Sequence, residues 1–416
     1  MKNLSVAKKL FLLFCFSFVL RFAFSVFYWV DKPVTHDAQE YLLLANNLVD
    51  GKGYGYEIKE GDKVEHHERA PIYPLFLTAI ISIFGDNYTA IKIIQSLIGA
   101  ILPLIVYGIA AILYKEKTAW LAAFITALYP PLIWGTAEFL SECLFTTIGI
   151  YGFFLLIKYS KTDSYRDLIS AAFVLLIAAH IKPVILMSLP FVALWIFLRK
   201  RTKIIQALAH TIIFGIVAFL LLIPWTIRNY IVQEKFILIA SEGGITFWTG
   251  NNALAVGDGD MAANPQIKNA NNLLRKQNGY PEPAKMEQIY YKEAFTFIKE
   301  QPISFITLLI KKSFYFWLPI GRSMSLFSIK HQIISHVSYF PILLLAILGL
   351  IKLLKSRKIP VIPLISMFSA MLSCVIFFPQ ERYRIPMTDP FLIILASYYL
   401  VIKWLSFKNE KTKENK

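Results

Sequence analysis

The chain has 416 residues, 56% of them hydrophobic and only 17% charged, with a mean hydropathy of +0.54 and a formal net charge of +16. Soluble globular domains carry about a quarter charged residues, so the composition excludes a soluble enzyme and predicts a polytopic membrane protein. The basic excess does not predict nucleic-acid binding, because Lys and Arg stand in short blocks between apolar runs, the pattern that orients membrane proteins.

A hydrocarbon core of ~30 Å needs about 20 apolar residues from a helix. In chain order the runs able to cross are 10–30, 90–113, 119–135, 139–157, 168–181, 184–198, 208–227, 333–354, 359–378 and 385–404. The first follows Lys2, Lys8 and Lys9 as a signal peptide would, but it is long for a signal core and lacks a small-residue cleavage site. A retained helix is therefore expected. The stretch 72–84 is too short to cross, and 302–319 carries Lys311-Lys312 at its centre, at a cost on the order of 3 kcal/mol per charge. Both are expected as helices lying in the interface. Cys15, Cys143 and Cys374 lie in or beside apolar runs without metal-ligand spacing and read as packing residues.

With ten spans and a cytoplasmic N-terminus, the basic turns 115–117, 158–166, 199–203 and 352–358 and the tail after Trp404 all share the cytoplasmic face. The organisation expected is a transmembrane module over 1–227 with its first outer loop at 31–89, then an extracytoplasmic loop at 228–332. C-terminal helices follow over 333–405, and a charged cytoplasmic tail, disordered from Lys408, closes the chain over 406–416. The long loop is Asn-, Gly- and Pro-rich over 249–283 and helical in character over 284–300, which suggests a small cap.

Every chemically interesting segment then falls on the outer face. Asp37 follows the first span, and 38–48 has apolar residues at helical spacing (Tyr41, Leu44, Ala45, Leu48), so Asp37 sits near the start of an amphipathic helix. It is either a cap or a catalytic carboxylate, and Glu40 reads as solvated surface. Arg69, ahead of Pro71, can fork onto a phosphate or snorkel to headgroups. His66-His67-Glu68 is either a metal-binding turn or a solvated one. Glu138 and Glu142 are four apart and would share a face on one helix. Glu142 could hold a sugar hydroxyl, a cation or Asp37, and Lys182 could bind phosphate or snorkel. The segments 224–230 and 242–252 mix Arg228, amides, glycines and aromatics, as a sugar site or an interfacial belt would. Glu381, Arg382 and Arg384 form a basic cluster suited to an ion pair or to phosphate.

Taken in order, these segments resemble a known group: HDAQEY with Asp37 and Tyr41, LVDGKGYG at 48–55, ERAPIYPLFL at 68–77, the LSE turn ending at Glu142, PWTIRNY at 224–230, GGITFWTGNN at 243–252 and RYRIP at 382–386. They are similar to the polyprenyl-phosphate-sugar-dependent glycosyltransferases of the GT-C superfamily, in particular glycosyltransferase family 39, the protein mannosyltransferases and the lipid A aminoarabinose transferase group. The resemblance is better over roughly the first 260 residues than over the rest. Where relatives often have two prolines after the basic residue, this chain has Ala70-Pro71.

The resemblance implies an all-α polytopic protein with a GT-C-like bundle of about ten spans, interfacial helices in the first outer loop and a small extracytoplasmic cap. It also implies that Asp37 is the essential first-loop carboxylate, that Arg69 lies near the donor phosphate, and that Glu142 is the acidic residue of the second outer loop. The function expected is inverting transfer of a sugar from polyprenyl phosphate, within the cell membrane, to an extracytoplasmic protein, lipid or glycan acceptor. Asp37 is the candidate general base, with Glu142 as the second catalytic carboxylate. Arg69, Lys182, Arg228, Arg382 and Arg384 are candidates for the donor phosphate, and Tyr41, Glu138, Trp248 and Asn251 for sugar or acceptor. No metal ligand is assigned, and a divalent metal stays open. The rival readings are a transporter or flippase for a lipid-linked glycan and a non-catalytic lipid-presenting subunit. Arg21, inside the first span, is the feature most suited to a transporter.

Overall fold

The computed structural model describes residues 4–30, 34–56, 65–66, 69–234, 236–240, 243–281 and 283–414. The first apolar run forms α1 (Val6–Ala23), whose start is capped by Ser5 Oγ accepting from the Lys8 N–H at 3.3 Å, and it continues as a π-helical stretch, Phe24–Tyr28. In the first outer loop lie α2 (His36–Val49) and α3 (Ile72–Phe84), with a short antiparallel pair, β1 (Gly55–Tyr56) and β2 (Glu65–His66), between them. Next come α4 (Tyr88–Leu113), α5 (Glu116–Leu128), α6 (Pro130–Trp134), α7 (Glu142–Thr162), α8 (Tyr165–Ile181), α9 (Leu189–Arg199) and α10 (Ile204–Gln233). The long loop holds α11 (Gly243–Gly250), α12 (Pro265–Gln277), α13 (Pro283–Glu300), α14 (Pro302–Trp317) and α15 (Arg322–Ser325), before α16 (Ile329–Lys355), α17 (Val361–Ile376) and α18 (Glu381–Glu414).

Each of the ten expected spans falls on helix. Among the described residues six helices, Val6–Tyr28, Tyr88–Leu113, Glu142–Thr162, Ile204–Val232, Ile329–Lys355 and Glu381–Asn409, are long and apolar enough to cross a membrane, and the chain is a multi-pass membrane protein. The other four segments are shorter or broken. Tyr129 precedes Pro130 and is held at ψ 113°, outside the helical region, so the 119–135 run splits into α5 and α6. Similarly, Pro183 starts a 3-10 turn before α9, while α8 and α17 have 17 and 16 residues. The stretches expected as non-crossing helices form helices at Ile72–Phe84 and Pro302–Trp317.

Three local expectations are corrected. The segment 249–283, read only as an Asn-, Gly- and Pro-rich part of the loop, contains α12, which buries Ile267 and Asn271 against the small core of Trp248, Met286, Tyr290 and Ala294. Its polar outer face hides that amphipathicity from a composition reading. PWTIRNY lies inside α10, so Arg228 is on a helix and not in a loop. The tail from Lys408 continues α18 to Glu414, because Lys and Glu propagate an existing helix readily.

Small residues let the bundle close. A Cβ on Gly349 of α16 would stand 2.3 Å from the Leu395 carbonyl oxygen of α18, and one on Gly152 of α7 would stand 2.7 Å from Leu175 Cδ2 of α8. Arg21 is fully buried, and its guanidinium donates to Ser17 Oγ at 2.5 Å, to the Ala127 carbonyl at 3.1 Å and to the Thr126 carbonyl at 3.3 Å. Those carbonyls end α5, where a cation complements the helix dipole. Arg21 therefore fastens α1 to the break between α5 and α6, which accounts for the in-span charge without a transport role.

Candidate active site

The site begins with the N-terminus of α2. Thr35, not Asp37, is the cap: its Oγ1 accepts from the Ala38 N–H at 3.3 Å. Tyr41, Leu42 and Ala45 pack the helix inward, and the Tyr41 ring meets that of Tyr73 on α3 edge-on at 4.8 Å. Asp37 and Glu40, three apart, are thereby turned to one side. There Arg69 donates from Nε to Glu40 at 2.8 Å and from Nη2 to Asp37 Oδ1 at 3.1 Å, with a further Nη2 bond to Glu40. Its guanidinium also lies over the Tyr41 ring at 4.8 Å, so Tyr41 seats the arginine. Glu40, expected as solvated surface, is a member of this network because Arg69 supplies its counter-charge.

The other oxygen of Asp37 is taken from across the chain. Arg382, at the start of α18, donates from Nη1 to Asp37 Oδ2 at 2.6 Å and is steadied by Gln380 Oε1 at 2.8 Å and the Tyr383 hydroxyl at 3.2 Å. Burial alone would raise the Asp37 pKa, but the Arg382 and Arg69 guanidiniums outweigh it and hold the carboxyl well below the usual range. Asp37 thus bridges two arginines and, in this arrangement, is a weak proton acceptor.

Asp37 and Arg382 line a cavity of about 320 Å³ whose wall also carries Glu138, Glu142, Asp260 and Glu381. Glu138 and Glu142 do not share a helix. Glu138 lies in the turn before α7, and Glu142 is the first residue of α7. Gln95, buried in α4, fixes that turn by donating to the carbonyls of Glu138 at 2.8 Å and Thr136 at 3.2 Å, while its own oxygen accepts from the Tyr73 hydroxyl at 2.8 Å. Glu142 is paired with Lys182 at 2.6 Å, and that ammonium also lies over the Tyr383 ring at 4.9 Å. Glu381 faces His331 at 3.5 Å and accepts from Ser335.

Several expected ligands lie elsewhere. Arg384, read as a phosphate ligand, is fully buried and paired with Asp389 at 3.1 Å, with the Tyr129 hydroxyl donating to the same carboxylate at 2.8 Å and the Tyr339 ring beneath the guanidinium at 3.5 Å. Burial on that face of α18 makes it a core ion pair. Asn251, read as a sugar ligand, is also fully buried; it accepts from Lys312 Nζ at 2.8 Å and donates to the Phe247 and Ile376 carbonyls, tying the cap to α14 and α17. Trp248 belongs to the cap core, with its ring 5.5 Å from that of Tyr290. Arg228 stacks on Trp225 and Tyr54 at 4.8 and 5.2 Å and is not among the cavity-lining residues. The metal reading of His66-His67-Glu68 rests on side chains outside the described residues.

His36, Asp37 and Glu40 offer ligand atoms within 4.8 Å of one another. The fit to a divalent cation is poor, because both carboxylates are already engaged by guanidinium groups that a cation would have to displace. Gln95, His331 and Asp260 are site residues that sequence reading missed. Only Gln95, a lone amide inside an apolar run, carried a signal.

Comparison with known proteins agrees with this architecture. Residues 68–227 match the family model described as dolichyl-phosphate-mannose-protein mannosyltransferase. A search of curated proteins gives no significant match. Among solved structures, the Archaeoglobus fulgidus oligosaccharyltransferase AglB in complex with an inhibitory peptide and a dolichol-phosphate aligns with a TM-score of 0.60 at 12% identity, over 99% of this chain and 52% of that one. The same organism's oligosaccharyltransferase in complex with Zn and sulfate aligns with a TM-score of 0.56 at 13% identity, over 95% and 49%. ArnT from Cupriavidus metallidurans bound to undecaprenyl phosphate aligns with a TM-score of 0.49 at 12% identity, over 95% and 78%. The chain spans about half the length of the oligosaccharyltransferases it matches. Its bundle, with the first-loop carboxylate set against the cavity, has the fold of that oligosaccharyltransferase.

Proposed function

We propose that the chain is an integral membrane glycosyltransferase that moves a sugar from a polyprenyl-phosphate donor to an extracytoplasmic protein, lipid or glycan acceptor, with inversion at the anomeric carbon. The observation that carries this reading is the pair of guanidiniums, Arg69 and Arg382, meeting on Asp37 at the edge of a cavity in a GT-C fold. Two planar cations 2.6 and 3.1 Å from one carboxylate form a site that a phosphate can share, since it presents the same oxygen acceptors. Charge builds on the phosphate as the glycosidic bond breaks, and donors already in place stabilise it without reorganisation.

Asp37 and Glu40 keep both arginines ordered and electrically balanced before the donor arrives. In this reading the lipid tail lies along membrane-facing helices, and the clustering of basic turns on the opposite side supports an outward-facing cavity. With the in-span Arg21 accounted for by α5, the transporter reading has lost the feature that favoured it.

Purified chain in lipid nanodiscs tests this with a panel of polyprenyl-phosphate hexoses and pentoses. One donor is expected to give free polyprenyl phosphate and a product of inverted anomeric configuration. Binding of every donor tested with no release of polyprenyl phosphate would overturn the enzyme reading.

A further inference from the structure

Proton removal from the acceptor needs a carboxylate that reaches the cavity and is free to change charge. Of those on the wall, Asp37 is clamped by two arginines, Glu142 by Lys182, and Glu381 faces His331 and Ser335. Asp260 accepts from the Ala262 and Ala263 N–H groups, which turn its own loop. The Glu138 carboxylate has neither a hydrogen bond nor an ion pair among the described residues, although its backbone carbonyl is fixed by Gln95. It is therefore held in position by its main chain while its side chain is left to the cavity.

We propose that Glu138 is the general base of the transfer reaction. The inference rests on the glycosyltransferase reading above and moves the proton-accepting role from Asp37, which positions the arginines, to Glu138. The acceptor hydroxyl gives its proton to a Glu138 oxygen as its own oxygen bonds to the anomeric carbon. The bond from that carbon to the phosphate oxygen breaks, and its electron pair leaves with polyprenyl phosphate. One proton and one sugar are transferred, and no further reactant is required.

The surroundings tune the group for this. Burial raises the Glu138 pKa, the neighbouring Glu142 carboxylate raises it further, Arg382 opposes and Glu381 adds to it, leaving it at about 7. The other ionisable groups lining this region are His36 and Asp37 on α2, Cys143 on α7, Asp260 in the cap loop and His331 on α16, with Arg69, Tyr73 on α3, Lys92 on α4, Lys182 and Tyr383 on α18 beside them. A general base works best when its pKa lies near the operating pH.

Two measurements test the assignment. In the first, infrared titration of the detergent-purified chain should show a protonated-carboxyl band disappearing with a midpoint near pH 7, present in wild type and absent from Glu138→Gln. This needs no substrate, so it stands even if no donor is turned over. In the second, polyprenyl-phosphate mannose is the first probe, read as sugar released to water or to an added acceptor. Wild type should show activity rising with pH through about 7. Glu138→Gln should lose on the order of 100-fold or more in kcat with little change in donor KM, and Glu138→Asp should keep part of the activity with a displaced limb. Wild-type kcat in Glu138→Gln, or no titrating band, overturns the assignment while leaving the glycosyltransferase reading intact. A titrating band with no turnover of any polyprenyl-phosphate sugar refutes the glycosyltransferase reading, and with it the base role.

Discussion

Replacing Asp37 by Asn separates the role of a clamp from the role of a base. The substitution preserves size and leaves the cap of α2 untouched, because Thr35 supplies it. It removes one negative charge from between two guanidiniums. Arg69 keeps Glu40, but Arg382 loses its 2.6 Å carboxylate bond and, among the described residues, keeps its hydrogen bonds to Gln380 and the Tyr383 hydroxyl. The side chains of Asp37 and Arg382 are 30% and 31% exposed, so the pair is shielded but not dry. A hydrogen bond to a charged group contributes about 1.5–3 kcal/mol net, and the exposure argues for the lower half. A loss of ~1.5–2.2 kcal/mol in arginine positioning corresponds to roughly 10- to 40-fold in kcat/KM. Because the lost interaction orders the arginine proposed to hold the donor phosphate, the fall should appear mainly in donor KM, with the pH limb near 7 retained. Steady-state kinetics of the purified variant across pH 5.5–8.5, with thermal unfolding as a folding control, measure both. If Asp37→Asn abolished the limb and left donor KM unchanged, Asp37 would be the base and the clamp argument would be wrong.

Three further outcomes follow from named contacts. Arg69→Lys should use donor better than Arg69→Ala yet worse than wild type, since Lys keeps the charge but cannot fork onto Glu40 and Asp37; donor titrations decide it, and equal behaviour of the two variants refutes a phosphate role. Arg384→Leu should destabilise the bundle by about 3–5 kcal/mol, because it leaves Asp389 buried without its counter-charge, whereas Arg384→Leu combined with Asp389→Leu should recover much of the loss; thermal unfolding in detergent reads both, and an unchanged midpoint in the single variant overturns the core-pair assignment. In a background with the native cysteines replaced, a single cysteine at the exposed position 311 should react with an impermeant reagent added outside; labelling only after permeabilisation would reject the ten-span topology.

The sequence by itself determined what depends on local periodicity and solvent. Membrane class, the positions of the helical segments, those at 72–84 and 302–317 included, and the choice of Asp37 and Arg69 as candidate site residues all follow from runs of apolar side chains and from charges at their ends. The break at Pro130 was also written in the chain, inside the 119–135 run, and Pro183 stands at the boundary between the runs 168–181 and 184–198. The tertiary structure decided which charges face one another. Asp37 and Arg382 are 345 positions apart, and no spacing rule could pair them. Arg382 and Arg384, two apart on α18, stand in equivalent sequence contexts, but helical geometry turns one to the cavity and the other to Asp389 in the core. Similarly, Glu138 and Glu142 look alike as a motif. Only the chain reversal before α7 gives Lys182 to one and leaves the other to the cavity, because pairing a charge depends on what packs across from it and not on its neighbours along the chain.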